Sequence, residues 1–158
     1  MRPTLRSTST RTFVAIPVAV TAEQLLSRRR VRPGWLPVAA AGYLLYRLAG
    51  AYRLPRAGGP PGMSQGVPER LVTTGPYAVT RNPMYLGHLV FVGGLTAATR
   101  SPLSFVAAVS MVPWFGNRAR TDEQRLADLF GSDFETYCRR VPRWLPGTPP
   151  RPPDRAAT

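Results

Sequence analysis

The apolar residues of this sequence are grouped into four nearly uncharged runs of 14 to 17 residues, which leaves few folds open to it. The runs are Thr12–Ser27, Trp35–Ala51, Met84–Thr99 and Pro102–Phe115. Because each run is apolar on all sides, the helix it predicts must be buried in lipid or in a large core. A chain of 158 residues does not supply a large core. We therefore predict an all-α integral membrane protein with about four transmembrane helices.

The runs are short for this purpose, since a span usually takes about 20 apolar residues. Arginines that flank the runs must therefore extend them toward the headgroups. Two other interpretations stay open for the first run, residues 12–27. Residues 2–22 resemble a signal peptide with a cleavage site at Val20-Thr21-Ala22, and Glu23 and Gln24 are typical of a shallow or re-entrant helix.

Arginine supplies every one of the 21 basic residues, and against 8 acids it gives a net charge of +13. Such a surplus needs an anionic partner. A nucleic acid is disfavoured because most arginines flank the apolar runs. With four spans, both termini lie on the same side of the membrane, and most arginines lie on that side too. Because basic residues favour the cytoplasmic side, this predicts a protein of the inner or plasma membrane with its site facing the cytoplasm. The arginines that oppose this topology are Arg28, Arg29, Arg30 and Arg32.

The remaining composition limits the chemistry. With one cysteine, Cys138, and one histidine, His88, the sequence offers no disulfide and no metal site. Cys138 is interpreted as a packing residue and His88 as a hydrogen-bond donor between helices, with catalysis as the alternative for His88. The glycines of the third run, Gly87, Gly93 and Gly94, are likewise interpreted as close-packing positions. We predict one domain over residues 1–146, with a flexible connection at 53–68, and a disordered Pro-rich tail over 147–158.

A helix start with polar neighbours precedes the third run. Asn82 is a good N-cap and Pro83 fits the first helical position, so a helix N-terminus is predicted there. Together with Arg81, this end favours a carboxylate or phosphate. An alternative of equal weight is that Asn82-Pro83 only starts the helix and that Arg81 contacts lipid headgroups.

Two capping boxes follow the fourth run and predict two C-terminal amphipathic helices. The boxes are Thr121 with Gln124 and, after Gly131, Ser132 with Glu135. Asp122 and Glu123 then lie in a first turn, where acids usually complement the helix dipole. Alternatively, these two acids and the neighbouring Arg118 and Arg120 form a binding site for a zwitterionic ligand.

Taken together, these segments resemble the isoprenylcysteine carboxyl methyltransferase family and its phospholipid methyltransferase relatives. The resemblance covers roughly residues 70–146, the cofactor half of the chain. The matching residues are Gly75-Pro76-Tyr77, Arg81-Asn82-Pro83-Met84-Tyr85-Leu86-Gly87, Asp122-Glu123, Leu126, Phe130-Gly131, Phe134, Tyr137 and Val141-Pro142. Two positions depart from the family pattern: Asn82 replaces histidine, and Asp122 replaces the first glutamate.

The resemblance implies an S-adenosylmethionine site. The residues implied to bind this cofactor are Leu71, Val72, Tyr77, Arg81, Asn82, Pro83, Met84, Tyr85, Asp122 and Glu123. The resemblance also implies that the catalytic residues are Arg118, which would face the methyl acceptor, together with Asp122 and Glu123. An amine acceptor would need a base, for which Glu123, Asp122 or His88 would have to serve.

The sequence therefore predicts a methyltransferase that uses S-adenosylmethionine on a lipophilic substrate, either a prenylated carboxylate or a lipid amine, and that has membrane lipids as its partners. Two alternatives stay open: a membrane reductase that uses NADPH, and a basic membrane protein without catalytic activity.

Overall fold

All the regular secondary structure of the protein is helical over the residues that a computed structural model describes, 8–58 and 67–145. The four main helices are α1 (Ile16–Ser27), α2 (Leu36–Ala57), α3 (Pro83–Thr99) and α4 (Pro102–Arg140). A short helix, Thr8–Thr10, and a π-helical turn, Arg11–Ala15, precede α1. Short 3-10 turns cover Pro33–Trp35 and Gly75–Ala78. The all-α prediction is confirmed.

The third and fourth predicted runs lie within α3 and α4. The first covers the π-helical turn and α1, and the second covers Trp35 of a 3-10 turn and most of α2. Within the described residues, no helix combines the length and the apolar character that crossing a membrane demands. The four spans, the single domain and the alternatives for the first run stay predictions. The predicted tail at 147–158 and residues 2–7 of the signal-peptide interpretation lie outside the described residues.

The turn between α3 and α4 follows from its local sequence. Helix α3 ends at Thr99 because Arg100 adopts a left-handed conformation, with φ of 51°. Ser101 then caps α4, since its Oγ accepts a hydrogen bond from the Ser104 amide at 3.1 Å. Pro102 occupies the first helical position, where no amide hydrogen is needed.

The predicted helix start at Thr121 is wrong, because α4 runs through this position without interruption. The Thr121 hydroxyl donates to the carbonyl of Asn117 at 3.2 Å, the bond that a threonine makes inside a helix instead of a cap. The predicted break at Gly131 is confirmed: this glycine has φ of 48°, which favours glycine, and it separates residues 102–130 from 132–140.

The flexible connection predicted at 53–68 is wrong for residues 53–57, and its residues 59–66 lie outside the described residues. Helix α2 continues through Pro55 to Ala57. The carbonyl of Ala57 then accepts hydrogen bonds from the amides of Glu69 and Arg70, at 2.8 and 3.0 Å. Hydrogen bonds therefore hold the end of α2 against the chain that precedes the 3-10 turn at Gly75–Ala78.

The chain forms two compact units, which we describe separately. The first comprises Met1–Tyr46 with Tyr85–Trp114, and the second comprises Arg47–Met84 with Phe115–Thr158. The core of the second unit consists of Phe134, Tyr137, Cys138 and Val141, packed against Leu71, Leu126, Ala127 and Phe130. This core holds the end of α4 against the segment that precedes α3.

In the first unit, helices α2 and α3 approach closely at glycines. A Cβ atom at Gly42 would lie 2.3 Å from the Phe91 amide nitrogen, and one at Gly94 would lie 2.4 Å from that of Ala39. Gly87 has a backbone neighbour at 2.7 Å. The packing interpretation is thus confirmed for Gly87 and Gly94. It is wrong for Gly93, where nothing lies within 4 Å.

Substitution of Gly94 by alanine is expected to lower the free energy of unfolding by about 1–3 kcal/mol, because the backbones of α2 and α3 must move apart. The matched control is Gly93→Ala on the same helix, which is expected to be neutral or stabilising, since alanine favours helix and the site is open. Thermal unfolding followed by circular dichroism measures both. Equal stabilities of the two variants would contradict the close packing.

Candidate functional site

Two segments of the second unit are joined side by side by hydrogen bonds. The Arg81 amide donates to the Pro142 carbonyl at 3.0 Å. The Thr80 hydroxyl and the Asn82 side-chain amide both donate to the carbonyl of Arg143, at 3.1 and 3.2 Å. The chain that follows α4 therefore lies along the residues that precede α3.

A buried carboxylate lies where these segments meet. Arg143 Nε donates to both carboxylate oxygens of Glu123, at 3.0 and 3.1 Å, and its Nη2 donates to Oε2 at 2.8 Å. Nη1 of Arg81 lies 3.3 Å from the same Oε2. The side chains of Glu123 and Arg81 are only 3% and 2% exposed. We call Glu123, Arg81 and Arg143 the buried ion cluster.

The charges of the buried ion cluster are paired with one another, which is the condition for burying ions in a protein. Two cations surround one anion, so the cluster carries a formal charge of +1. Guanidinium groups occupy the oxygens of Glu123, so this residue holds the segments together.

The second acid of the pair has a different environment. Asp122 pairs with Arg118 one helical turn earlier, at 3.8 Å, and their side chains are 35% and 39% exposed. Successive residues of a helix point about 100° apart, so adjacent acids face different surroundings. Glu123 is enclosed by protein, whereas Asp122 and Arg118 are open to a ligand.

Neutral hydrogen bonds connect the cluster to the core. The Tyr137 hydroxyl donates to the Tyr77 carbonyl at 2.6 Å, and Arg81 donates to the Cys138 sulfur at 2.8 Å. Burial raises the pKa of Tyr77 to about 12 and also raises the pKa of Tyr137. Burial likewise raises the pKa of the Cys138 thiol, with Arg81 acting in the opposite direction. All three groups are therefore neutral near neutral pH.

Every residue that the resemblance implies for cofactor binding belongs to the second unit except Tyr85, which belongs to the first. The structure brings Arg81, Asn82 and Glu123 together around Arg143. Leu71 packs against the core of the second unit. The remaining residues of this set in the second unit divide by burial: Tyr77 and Pro83 are buried, and Val72, Met84 and Asp122 are half-buried.

Sequence reasoning missed Arg143. The residue directly follows Val141-Pro142, which the resemblance did include, so a cation next to this motif was the available signal. Its partner was not predictable, because Glu123 lies 20 residues earlier in the chain. The same holds for Tyr137, whose bond to Tyr77 joins residues 60 positions apart.

Comparison with known proteins supports the motif resemblance. A sequence model of a family described as phospholipid methyltransferase matches residues 41–133. Protein-S-isoprenylcysteine O-methyltransferase B of Arabidopsis thaliana is 35% identical over 78 residues, which are 49% of this chain and 40% of that protein.

Two further similar proteins are a metal-resistance protein and another isoprenylcysteine methyltransferase. The cobalt-zinc-cadmium resistance protein CzcN of Cupriavidus metallidurans is 36% identical over 77 residues, 48% of this chain and 35% of that protein. The protein-S-isoprenylcysteine O-methyltransferase of Schizosaccharomyces pombe is 35% identical over 81 residues, which are 50% of this chain and 34% of that protein. This chain thus spans between a third and two fifths of the length of these three relatives.

Substitution Glu123→Gln is expected to lower the free energy of unfolding by about 3 kcal/mol, because it leaves two guanidinium groups without their shared counter-charge. The matched control is Asp122→Asn in the exposed neighbouring pair, which is expected to cost less than about 1 kcal/mol. Chemical denaturation of both variants measures the difference. Equal losses would show that the buried ion cluster does not stabilise the second unit.

Proposed function

Since this chain belongs to the phospholipid methyltransferase family, we propose that it catalyses methyl transfer from S-adenosylmethionine to a lipophilic substrate. The observation that carries the proposal is the arrangement of the second unit, in which hydrogen bonds and ion pairs join the start of α3, the acid at Glu123 and the chain after α4. These are the segments that the family motifs mark.

The residues of the second unit fit this cofactor in charge and polarity. Asp122 offers a partly exposed carboxylate for a sulfonium or an ammonium. The N-terminus of α3 at Pro83 favours a carboxylate through its free amides and its dipole. Val72 and Met84 are half-buried apolar side chains of the kind that pack against an adenine ring. Packing of Tyr85 against the ring rests on the motif alone.

When bound, this cofactor supplies a methyl group on a sulfonium that is already an activated leaving group. The chain's own contribution is then to hold two reactants in line, which supplies as much as about 7–11 kcal/mol of a barrier. We assign Glu123 to this positioning task. By pairing with Arg81 and Arg143, it fixes the chain on both sides of the proposed site.

Arg118 is the residue that orients the methyl acceptor in this proposal, since its side chain is 39% exposed and carries a charge complementary to a carboxylate. A carboxylate acceptor needs no base, whereas an ammonium must first lose a proton. Glu123 is occupied by two arginines, and Asp122 is paired with Arg118. The third candidate base, His88, belongs to the first unit. The pairings in the second unit therefore favour a carboxylate over a lipid amine as the acceptor.

The surface of the first unit supports a membrane location. Several of its large apolar side chains are between 55% and 88% exposed; they include Leu25, Leu26, Leu44, Phe105, Val106 and Val112. Exposed apolar surface of this extent marks contact with lipid or a protein partner. Lipid agrees with the substrate named in two of the relatives, an isoprenylcysteine. A cytoplasmic orientation of the site stays a prediction from the arginine distribution.

Calorimetric titration of the detergent-purified chain with S-adenosylmethionine, S-adenosylhomocysteine and NADPH is the test of the cofactor. Binding of the first two alone is expected. Asp122→Asn is expected to weaken that binding about tenfold, the cost of one charge-assisted contact. Asp128→Asn, an exposed acid on the same helix, is the matched control. Binding of NADPH alone would replace the methyltransferase proposal with the reductase.

Turnover tests the role of Arg118. With a prenylated cysteine that carries a free carboxylate as acceptor, Arg118→Ala is expected to spare cofactor affinity and lower the methylation rate on the order of a hundredfold, the cost of a misplaced reactant. Arg125→Ala, an exposed arginine of the same helix, is the control. Methylation of phosphatidylethanolamine but not of the carboxylate would contradict the acceptor assignment.

A further inference from the structure

Five exposed arginines lie on two neighbouring loops of the first unit. One loop joins α1 to α2 and the other joins α3 to α4. We call the set the arginine patch; its members are Arg28, Arg29, Arg30, Arg32 and Arg100. None of these residues belongs to the proposed cofactor site, so the methyl-transfer proposal leaves them unexplained.

Hydrogen bonds hold the two loops of the arginine patch together. The guanidinium of Arg29 donates to the Arg100 carbonyl at 3.2 Å, and the amide of Arg32 donates to the Ala98 carbonyl at 2.7 Å. The carboxylate of Glu23, on the last turns of α1, accepts a hydrogen bond from Ser101. The loops thus concentrate positive charge on one part of the surface, beside a single acid.

Backbone conformation gives independent evidence that the arginine side chains are needed. Arg28 and Arg100 have φ of 50° and 51°, and they are the non-glycine residues with positive φ in the described part of the chain. Each ends a helix in the left-handed conformation, where glycine is the favoured residue. Strain retained at such positions points to a function of the side chain.

Apolar side chains surround the arginine patch. Leu25 and Leu26 on the last turn of α1 are 76% and 88% exposed. Trp35 at the start of α2 is 48% exposed, and Leu103 at the start of α4 is 44% exposed. An indole beside arginines and exposed leucines is typical of the boundary between lipid headgroups and acyl chains. Leucines this exposed favour acyl chains over the phosphate backbone of a nucleic acid.

We propose that the arginine patch, together with Leu25, Leu26, Trp35 and Leu103, docks the first unit on anionic lipid headgroups. The guanidinium groups contact lipid phosphates, and the apolar side chains enter the acyl region next to them. The proposal rests on the membrane location proposed above but not on the methyl-transfer chemistry.

Fluorescence of Trp35 at the edge of the patch provides the test. The 158-residue chain is reconstituted into phosphatidylcholine vesicles that contain either brominated phosphatidylglycerol or brominated phosphatidylcholine, and tryptophan quenching by the two lipids is compared. The anionic lipid is expected to quench more strongly, and the preference is expected to weaken as salt screens the charges. Trp35→Phe is expected to remove most of the difference.

The deciding variant is Arg28→Gly with Arg100→Gly, since glycine relieves the backbone strain and keeps the variant folded. The preference for anionic lipid is expected to fall by about fivefold for each arginine removed. Arg125→Gln with Arg140→Gln removes the same charge from α4 and is expected to leave the preference unchanged. Thermal unfolding verifies that all variants are folded.

Three results would overturn the proposal. Equal quenching by the two lipids, or an unchanged preference in the double glycine variant, would show that the arginine patch does not recognise anionic lipid. Release of the protein from anionic vesicles by an oligonucleotide that binds it more tightly would assign the patch to nucleic acid. If neither lipid quenched the tryptophan fluorescence, the proposed membrane location would be wrong as well. The calorimetric titration with the cofactor would still test the methyl-transfer proposal independently.

Discussion

The ion pairs of Glu123 determine how the second unit is arranged. Its carboxylate meets Arg81, which precedes α3, and Arg143, which follows α4, so one negative charge joins three separate parts of the chain. Without it, two guanidinium groups would be buried together with no counter-charge, which is strongly unfavourable. The hydrogen bonds of Thr80 and Asn82 to the Arg143 carbonyl depend on the same arrangement. The ends of two helices are therefore positioned by electrostatics as well as by the hydrophobic core.

Helix geometry explains how neighbouring acids take different roles. Because α4 continues through Asp122 and Glu123, the two side chains point in different directions. One is enclosed and structural, and the other is half-exposed beside Arg118. The departures from the family pattern agree with this division. Aspartate at 122 keeps a negative charge on the exposed side, and Asn82 keeps a hydrogen bond to the chain after α4 although it does not titrate.

Much of the fold was predictable from local sequence. Runs that are apolar on all sides allow little but helix, and Pro83 and Gly131 mark a start and a break for reasons confined to their own backbone. Thr121 shows the limit of this reasoning, because the same hydroxyl that caps a helix also bonds the carbonyl of the preceding turn inside a helix. Gly93 and Gly94 were alike in sequence, yet only Gly94 meets another backbone.

By itself, the sequence determined the helical class, several helix ends, the basic character and the motifs that mark the cofactor half. These properties depend on the residues themselves and on their near neighbours in the chain. Only the tertiary structure decided that Glu123 is buried between Arg81 and Arg143 while Asp122 is exposed, and that Arg28 and Arg100 lie on adjacent loops. An ion pair depends on distances of a few ångströms between residues far apart in sequence, and packing of the whole chain sets those distances.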